Sequence, residues 1–253
     1  MGKTDARQEA IMRSLREIGS ITVGAIMETF GVSEATARRD LETLEQEKKL
    51  IRTFGGAVLE TVRTEIPFYR KTEMNAEEKR EIAGKALSLI RDGDVIGLTG
   101  GSTNMEIAKK IRQHPFERLT LVTNAINIAF ELSGQPGLQL IVTGGVIRTQ
   151  SFELSGPLAD GTLGQLTIQK TFVGADGVSL ARGITTFDEL EAHTNRVMMQ
   201  RSLETYVVAD HTKIGRDSVF LIDGIATVTA LITDSRLDRR LFQTFAEAGV
   251  RLL

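Results

Sequence analysis

Two stretches of the chain combine residue types and spacings that suit recognition chemistry. The first is Thr99-Gly100-Gly101-Ser102-Thr103-Asn104. Paired glycines let a backbone come close to an anion, while Ser102, Thr103 and the first amides of a following helix donate to it. That chemistry is phosphate binding, although the pattern is neither a Walker loop, which ends in Gly-Lys-Ser/Thr, nor the dinucleotide pattern G-x-G-x-x-G. Later turns extend the set. Thr123 and Asn124 follow one apolar run, and Gly144, Gly145 and Arg148 follow another, with Arg148 suited to a phosphate or carboxylate partner. Asp176-Gly177 suits sugar hydroxyls, and Lys213, close after Asp210, suits a phosphate. His114, His193 and His211 lack ligand spacing, so no metal site is assigned.

The second stretch is Gly31-Val-Ser-Glu-Ala-Thr-Ala-Arg-Arg-Asp-Leu41. Gly31 closes a tight turn, and Ser33 is a good N-cap for the helix that follows. Ala37, Leu41 and Leu44 fall at helical spacing on one apolar stripe. At roughly 100° per residue, Ala35 and Arg39 point away from it, with Thr36 and Arg38 on the flanks. A short helix with small and basic residues opposite its core face is what reading a DNA major groove requires.

Each set needs elements to hold it. A first helix is expected from about Thr4 to Glu17, ended by Gly19, with Ser20-Ile21-Thr22 as an extended link to a second helix. After the recognition helix, apolar runs around Gly55-Gly56 predict a β-hairpin, the wing of a winged helix-turn-helix. Lys48, Lys49, Arg52 and the Gly-Gly amides would face the sugar-phosphate backbone. The candidate DNA-facing residues are Thr22, Ser33, Glu34, Ala35, Thr36, Arg38 and Arg39, with Arg52, Thr53 and Gly55 from the wing. Acidic and basic residues nearly balance through the first sixty positions, so phosphate attraction must come from local placement.

The wing ends a first domain over 1–60, and 61–75, with Pro67 in a stretch fitting no period, reads as a linker. Asn75 and Glu78 resemble a capping box opening a long amphipathic helix through Ile90. Beyond it, three apolar strands end in threonine (Thr99, Thr123, Thr143) and three in aspartate (Asp176, Asp210, Asp234). Helical stretches at 103–112, 125–133, 187–203 and 238–247 separate most of them. This alternation predicts a Rossmann-like α/β domain over 76–253 with a mostly parallel sheet, and ligands in such sheets bind beyond the carboxyl ends of the strands. That domain would sense the effector and support oligomerisation.

Composition bounds the rest. The 253 residues suit two domains, and 41% hydrophobic residues suffice for packed cores. A net charge of −2 argues against a general polyanion coat. Cysteine is absent, which excludes disulfides and fits a reducing cytoplasm, and no apolar run nears the roughly 18 residues of a membrane span.

Along essentially its whole length the sequence resembles the DeoR family of transcriptional regulators. The resemblance rests on Val32-Ser-Glu-Ala-Thr-Ala-Arg-Arg-Asp-Leu41, Arg52-Thr-Phe-Gly-Gly-Ala57, Thr123-Asn124, Thr143-Gly-Gly145, Gly174-Ala-Asp-Gly177 and Ala209-Asp-His-Thr-Lys213. Phe54 stands where the family usually has histidine, and Asn104 where it more often has threonine. Gly97-Leu-Thr-Gly-Gly-Ser-Thr103 is also similar to the phosphate turn of ribose-5-phosphate isomerases. The resemblance implies a homo-oligomeric repressor of a carbohydrate operon, released from operator DNA by a phosphorylated sugar or related metabolite, with no cofactor. The alternative is a sugar-phosphate isomerase or deaminase with a DNA-binding appendage. That reading needs a general base, for which Glu189 or Glu191 is the nominee, without the glycine-framed glutamate loop of the isomerases. A third reading is a DNA-binding protein that answers no ligand.

Overall fold

Ile11, Leu15, Ile26, Leu41 and Leu44 come from three separate helical periods, and burying them together builds the first unit of the chain. The computed structural model describes residues 3–18, 20–47, 49–53, 55–59 and 65–253. It divides the chain into two units, 1–66 and 67–253. In the first, α1 (Lys3–Ile18) is followed by β1 (Ser20–Thr22), α2 (Val23–Phe30), α3 (Glu34–Gln46) and the hairpin β2 (Leu50–Thr53) and β3 (Gly56–Leu59). Strand β3 lies between β1 and β2 in an antiparallel sheet, so the expected link Ser20–Thr22 is a third strand of the wing. Gly31 closes α2 at φ 62°, and Ser33 caps α3 by accepting from the Thr36 amide, both as the sequence predicts. Gly19, Lys48 and Phe54, to which the sequence assigned a helix stop, a backbone contact and a family departure, lie outside the described residues.

One polar interaction ties the first unit together. Arg7 on α1 reaches Asp40 on α3 through Nε (2.5 Å) and Nη2 (3.1 Å), and Asp40 is almost fully buried. The acidic residue that follows the paired arginines therefore faces inward and fixes α1 against α3.

The second unit begins with α4 (Phe68–Glu73) and α5 (Ala76–Leu87), followed by β4 (Val95–Leu98), α6 (Ser102–Gln113), β5 (Leu119–Thr123), α7 (Ile126–Leu132) and β6 (Leu138–Val142). A small hairpin, β7 (Val146–Arg148) and β8 (Glu153–Ser155), leads to α8 (Pro157–Leu163) and β9 (Ile168–Gly174). Then come β10 (Gly177–Ser179), β11 (Gly183–Thr186), α9 (Glu189–Gln200), β12 (Ser202–Val208), β13 (Phe220–Asp223), β14 (Ala230–Ile232) and α10 (Arg239–Glu247). All six strands read from the apolar runs fall in one sheet, ordered β14-β12-β9-β4-β5-β6, and every pairing in it is parallel. One face buries Ile82, Ile107, Ile111 and Ile128 of α5, α6 and α7. The other buries Val178, Ile184, Met199 and Phe245, from β10, β11, α9 and α10. Apolar side chains on both faces explain why these strands read as near-continuous hydrophobic runs. No described helix is long and apolar enough to cross a membrane.

Several local expectations are corrected. Asn75 and Glu78 form no capping box: Asn75 sits at φ 51°, and its amide donates to Asp210 (3.1 Å). Glu78 is buried and paired with Arg236. The helix ends at Leu87, with Ile90 buried beyond it. Residues 68–73, read as linker, are helical, because Phe68 is buried within the second unit. The helix expected over 187–203 stops at Gln200, and Ser202 already pairs with Ile168 in the sheet. The antiparallel sheet β10-β11-β13 and the β7–β8 hairpin were not foreseen; their strands of three or four residues are too short to show a period.

Replacing Asp40 with alanine should destabilise the first unit by about 2 kcal/mol, since it strips a buried, charge-assisted pair. Chemical denaturation followed by hydrogen exchange in α1 and α3 measures this, and an unchanged exchange pattern would remove the anchoring role.

Candidate functional site

On the first unit, the face of α3 opposite its buried stripe is open. Ala35, Arg38 and Arg39 are exposed while Ala37, Leu41 and Leu44 are buried, which is the division that the helical period requires. Arg38 is bound one turn back to Glu34 (2.7 Å), and both side chains are more than half exposed, so this pair is a weak one. Ser33 and Thr36 share a hydroxyl contact of 3.0 Å at the start of the helix. The Thr22 hydroxyl caps α2 by accepting from Ala25 (3.1 Å). Gly55 turns the wing at φ 99°, and Arg52 donates its backbone amide to Glu45 (3.2 Å). Thr53 lies at the tip end of β2. The structure thus brings the helix residues onto one exposed surface, with the hairpin following it.

In the second unit, the chain reverses its course across the sheet between β4 and β9. From β4 it moves outward through β5 to β6, and it then returns to the other side of β4 for β9, β12 and β14. Segments leaving the carboxyl ends of β4 and β9 therefore diverge, and in open parallel sheets such a point is where the ligand crevice is expected. The turn 99–101 follows β4 and Asp176 follows β9, so the two strongest candidates flank this point.

The geometry sorts the turn residues into distinct roles. Gly101 is the N-cap of α6, at φ 105°, with no side-chain cap and open space where a Cβ would stand. The first amides of a twelve-residue helix therefore have no side-chain cap, and the nearly buried Ser102 and Thr103 lie among them. Thr99 and Asn104 look inward instead. The Thr99 hydroxyl accepts from the Gly174 amide (3.0 Å), and the Asn104 amide donates to the carbonyls of Thr99 (2.9 Å) and Phe172 (3.0 Å). These two residues lock β4, α6 and β9 together rather than facing the opening. Gly100 is filled from another direction: a Cβ there would stand 2.2–2.4 Å from the Glu153 side chain.

Glu153, on β8, lies outside the set read from the sequence. It accepts from Asn124 Nδ2 (3.1 Å), and burial together with the neighbouring Glu191 holds its carboxyl well above the usual carboxylate range. Thr123 beside it caps the amide of Ala125 (3.1 Å). Arg148 is committed to the chain's own carboxylates, Asp188 (3.0 Å) and Glu191 (2.9 Å). Gly144 and Gly145 have φ 71° and 118°, and a Cβ on Gly145 would stand 2.6 Å from the Ser155 carbonyl. Gly145 is thus needed for the approach of β7 to β8. Gly177 likewise lets β10 close against Arg216 and Ser218.

The opposite wall is cationic. Lys71 on α4 pairs with Asp176 (2.8 Å). Burial opposes the charge on Asp176, but Lys71 and Lys213 outweigh it and hold that carboxyl below its ordinary value. Lys79 on α5 donates to the carbonyls of Lys71 and Met74, and burial brings it down to about 8. Asp210 accepts from Thr212 (3.0 Å) and Asn75, fixing the short helical turn that carries Lys213. Nothing local in the sequence marks Lys71, whose partner lies a hundred residues away, or Lys79, whose backbone acceptors carry no residue-type signal. Among the described residues no group of three or more His, Cys, Asp or Glu side chains could hold a metal ion.

Comparison with known proteins places both units. Residues 7–63 match the model of the DeoR-like helix-turn-helix domain, and residues 74–235 match that of the DeoR C terminal sensor domain. The chain is 36% identical over 247 residues to the uncharacterised HTH-type transcriptional regulator YulB of Bacillus subtilis (strain 168), covering 97% of this chain and 95% of that protein. It is 32% identical to the HTH-type transcriptional regulator GolR of Listeria innocua serovar 6a, over 96% of each. It is also 32% identical to the putative aga operon transcriptional repressor of Escherichia coli O157:H7, over 99% of this chain and 93% of that protein.

The raised affinity of Glu153 for its proton has a signed consequence. In the unfolded chain this carboxyl ionises around its ordinary value of 4.5, whereas in the folded chain it stays protonated to higher pH. Its contribution to stability is therefore intact below pH 4.5 and falls as pH rises towards the folded value. Glu153→Gln should raise the melting temperature near neutral pH and flatten its decline between acid and neutral solution. A variant that melts in parallel with the parent at every pH would show that this proton is not held.

Proposed function

We propose that this chain, which belongs to the DeoR family, is a DNA-binding repressor of a carbohydrate-catabolism operon whose operator affinity is set by a phosphorylated sugar or related metabolite. The observation that carries the reading is the crevice at the reversal point of the sheet. One side offers uncapped amides of α6 beside Ser102 and Thr103, and the other offers Lys71 and Lys213 around Asp176. Amides at a helix N-terminus and an ammonium both favour an anion, while Asp176 and Asn124 suit hydroxyls. Among the described residues the Lys213 side chain makes no hydrogen bond or ion pair, and its charge is felt at Asp176. The names of relatives agree with repression: one is named a putative aga operon transcriptional repressor, another a lactose phosphotransferase system repressor and another a glycerol-3-phosphate regulon repressor.

The DNA partner is assigned to the open face of α3 and to the wing. A helix-turn-helix reading repeated half-sites works as a two-fold pair, so a homodimer or larger homo-oligomer in the cytoplasm is part of the proposal. The enzyme alternative gains a carboxyl near the turn in Glu153, which the sequence reading had not found. Glu153 is nonetheless buried against Gly100 and Asn124, which hinders a proton transfer to a bound sugar. The regulator reading is therefore preferred, and turnover of sugar phosphates by the purified protein distinguishes the two.

Arg39→Ala should cost about 1–3 kcal/mol of specific binding to DNA selected from a random pool, and leave ligand binding intact. Undiminished affinity for the selected sequence would move the recognition face elsewhere. Conversely, Ser102→Ala combined with Lys213→Ala should leave DNA binding in place and abolish its response to phosphorylated sugars in a gel-shift titration. If the response survives, the crevice is not the effector site.

A further inference from the structure

The β7–β8 hairpin tip carries a combination of contacts that neither sheet construction nor anion binding explains. On its inner side, the Ser151 hydroxyl donates to Glu191, the Glu153 amide donates to Ser151 (3.4 Å), and the Glu153 side chain lies against Gly100 in the turn. On its outer side, the Gln150 carbonyl accepts from the Phe68 amide (3.1 Å) at the start of α4. Between them stands Phe152, whose ring meets Phe68 edge-on at 5.6 Å and Tyr69 at 5.5 Å.

Phe152 has a backbone φ of 65°, a left-handed conformation that bulky residues rarely adopt. It persists because its surroundings over-determine it: its amide donates to Arg148 (2.8 Å) and its carbonyl accepts from Ile126 (3.1 Å). Such a residue has an unstrained alternative, so loosening its neighbours favours a discrete switch over a gradual drift. Helix α4 is held at a second point, where Lys71 meets Asp176 on the far rim of the same crevice. Tyr69, 70% exposed, is the least buried ring of the three and so the least costly to move. Among the described residues, the helix gripped at these two points is the first one after β3.

We infer that the hairpin tip Gln150–Glu153 is the transmitting element of this site: an anion entering the crevice between β4 and β9 displaces Glu153 and, through Phe152, shifts the Phe68–Tyr69 end of α4. The inference rests on the effector-site reading above and adds the route by which occupancy leaves the site. Glu153 moves because its side chain fills the space beside Gly100 that an anion at the turn needs, and Lys71 because the anion competes with Asp176 for the ammonium.

The chain holds two tyrosines and no tryptophan, so incorporation of 3-fluorotyrosine yields two fluorine resonances, assigned by Tyr206→Phe. Tyr206, buried in the sheet and stacked on Phe172, serves as the internal reference for Tyr69. The probe is inorganic phosphate added to the full chain, with binding followed in parallel by thermal shift. In the parent, phosphate should raise the melting temperature and move the Tyr69 resonance while Tyr206 stays in place. Phe152→Gly, which suits the left-handed backbone and removes the ring, should keep the melting response and lose the Tyr69 shift. Phe68→Leu removes the Phe68–Phe152 ring contact but leaves Phe152 against Tyr69, and should diminish the Tyr69 shift without abolishing it. A Tyr69 response undiminished in both variants overturns the coupling and leaves the effector site standing. A parent that phosphate does not stabilise, or a Ser102→Ala/Lys213→Ala variant stabilised as much as the parent, removes the effector site and the coupling together.

Discussion

Strand β4 is paired on both sides with strands running the same way, one reached by the chain going forward and one by the chain coming back. Segments leaving β4 and β9 must therefore part company at their carboxyl ends. Most of what distinguishes the second unit answers to that constraint. Gly101 leaves α6 uncapped where the gap opens, and Thr99 and Asn104 use their polar atoms to keep its two sides in register. Asp176 meets a lysine from a helix at the other end of the unit's sequence. With these groups converging, the crevice is polar although the sheet on either side of it is almost wholly apolar.

The same crevice holds an unusual share of charge inside the protein. Glu153 and Glu191 are both nearly inaccessible, and Arg148 stands beside the second. Two carboxyls so placed cannot readily both ionise, and Glu153 keeps its proton because burial and Glu191 outweigh the pull of Lys71. Lys79 stands in the converse position, with its ammonium surrounded by carbonyls and its proton held less firmly than usual. Both groups are buried without full compensation, the condition under which a small change in the local field alters a protonation state.

The sequence revealed the architecture better than it revealed the lining of the site. The six strand runs, each ending in threonine or aspartate, all entered one sheet, because strands buried on both faces must be continuously apolar, and composition alone records that. The helix-turn-helix was legible for a related reason: Gly31, Ser33 and the Ala37–Leu41–Leu44 stripe are local requirements met by adjacent residues. Asn75 misled because its amide has two possible uses, and Asp210 takes it in place of the helix start. Gly100 was read as room for a ligand, whereas its missing Cβ makes room for Glu153, from a hairpin too short to show a period. Lys71 lies on α4, a helix of six residues whose only strong hydrophobic anchor is Phe68. What stayed hidden depends on contacts distant in sequence, and those appear only once the sheet has set the spacing.

The intrahelical pair between Glu34 and Arg38 bears on how the recognition surface behaves in salt. A cationic side chain that meets DNA ordinarily gives up nothing but water, and the duplex sheds condensed counterions in exchange. Arg38 already has a carboxylate at 2.7 Å, so reaching a phosphate means leaving Glu34 uncovered on the same face. Added ions then weaken the competing pair along with the contact to the duplex, and the two effects partly cancel. On the DNA-binding reading, the grip of this unit depends on ionic strength less steeply than the number of its arginines suggests, and it relies correspondingly more on groove shape and base edges.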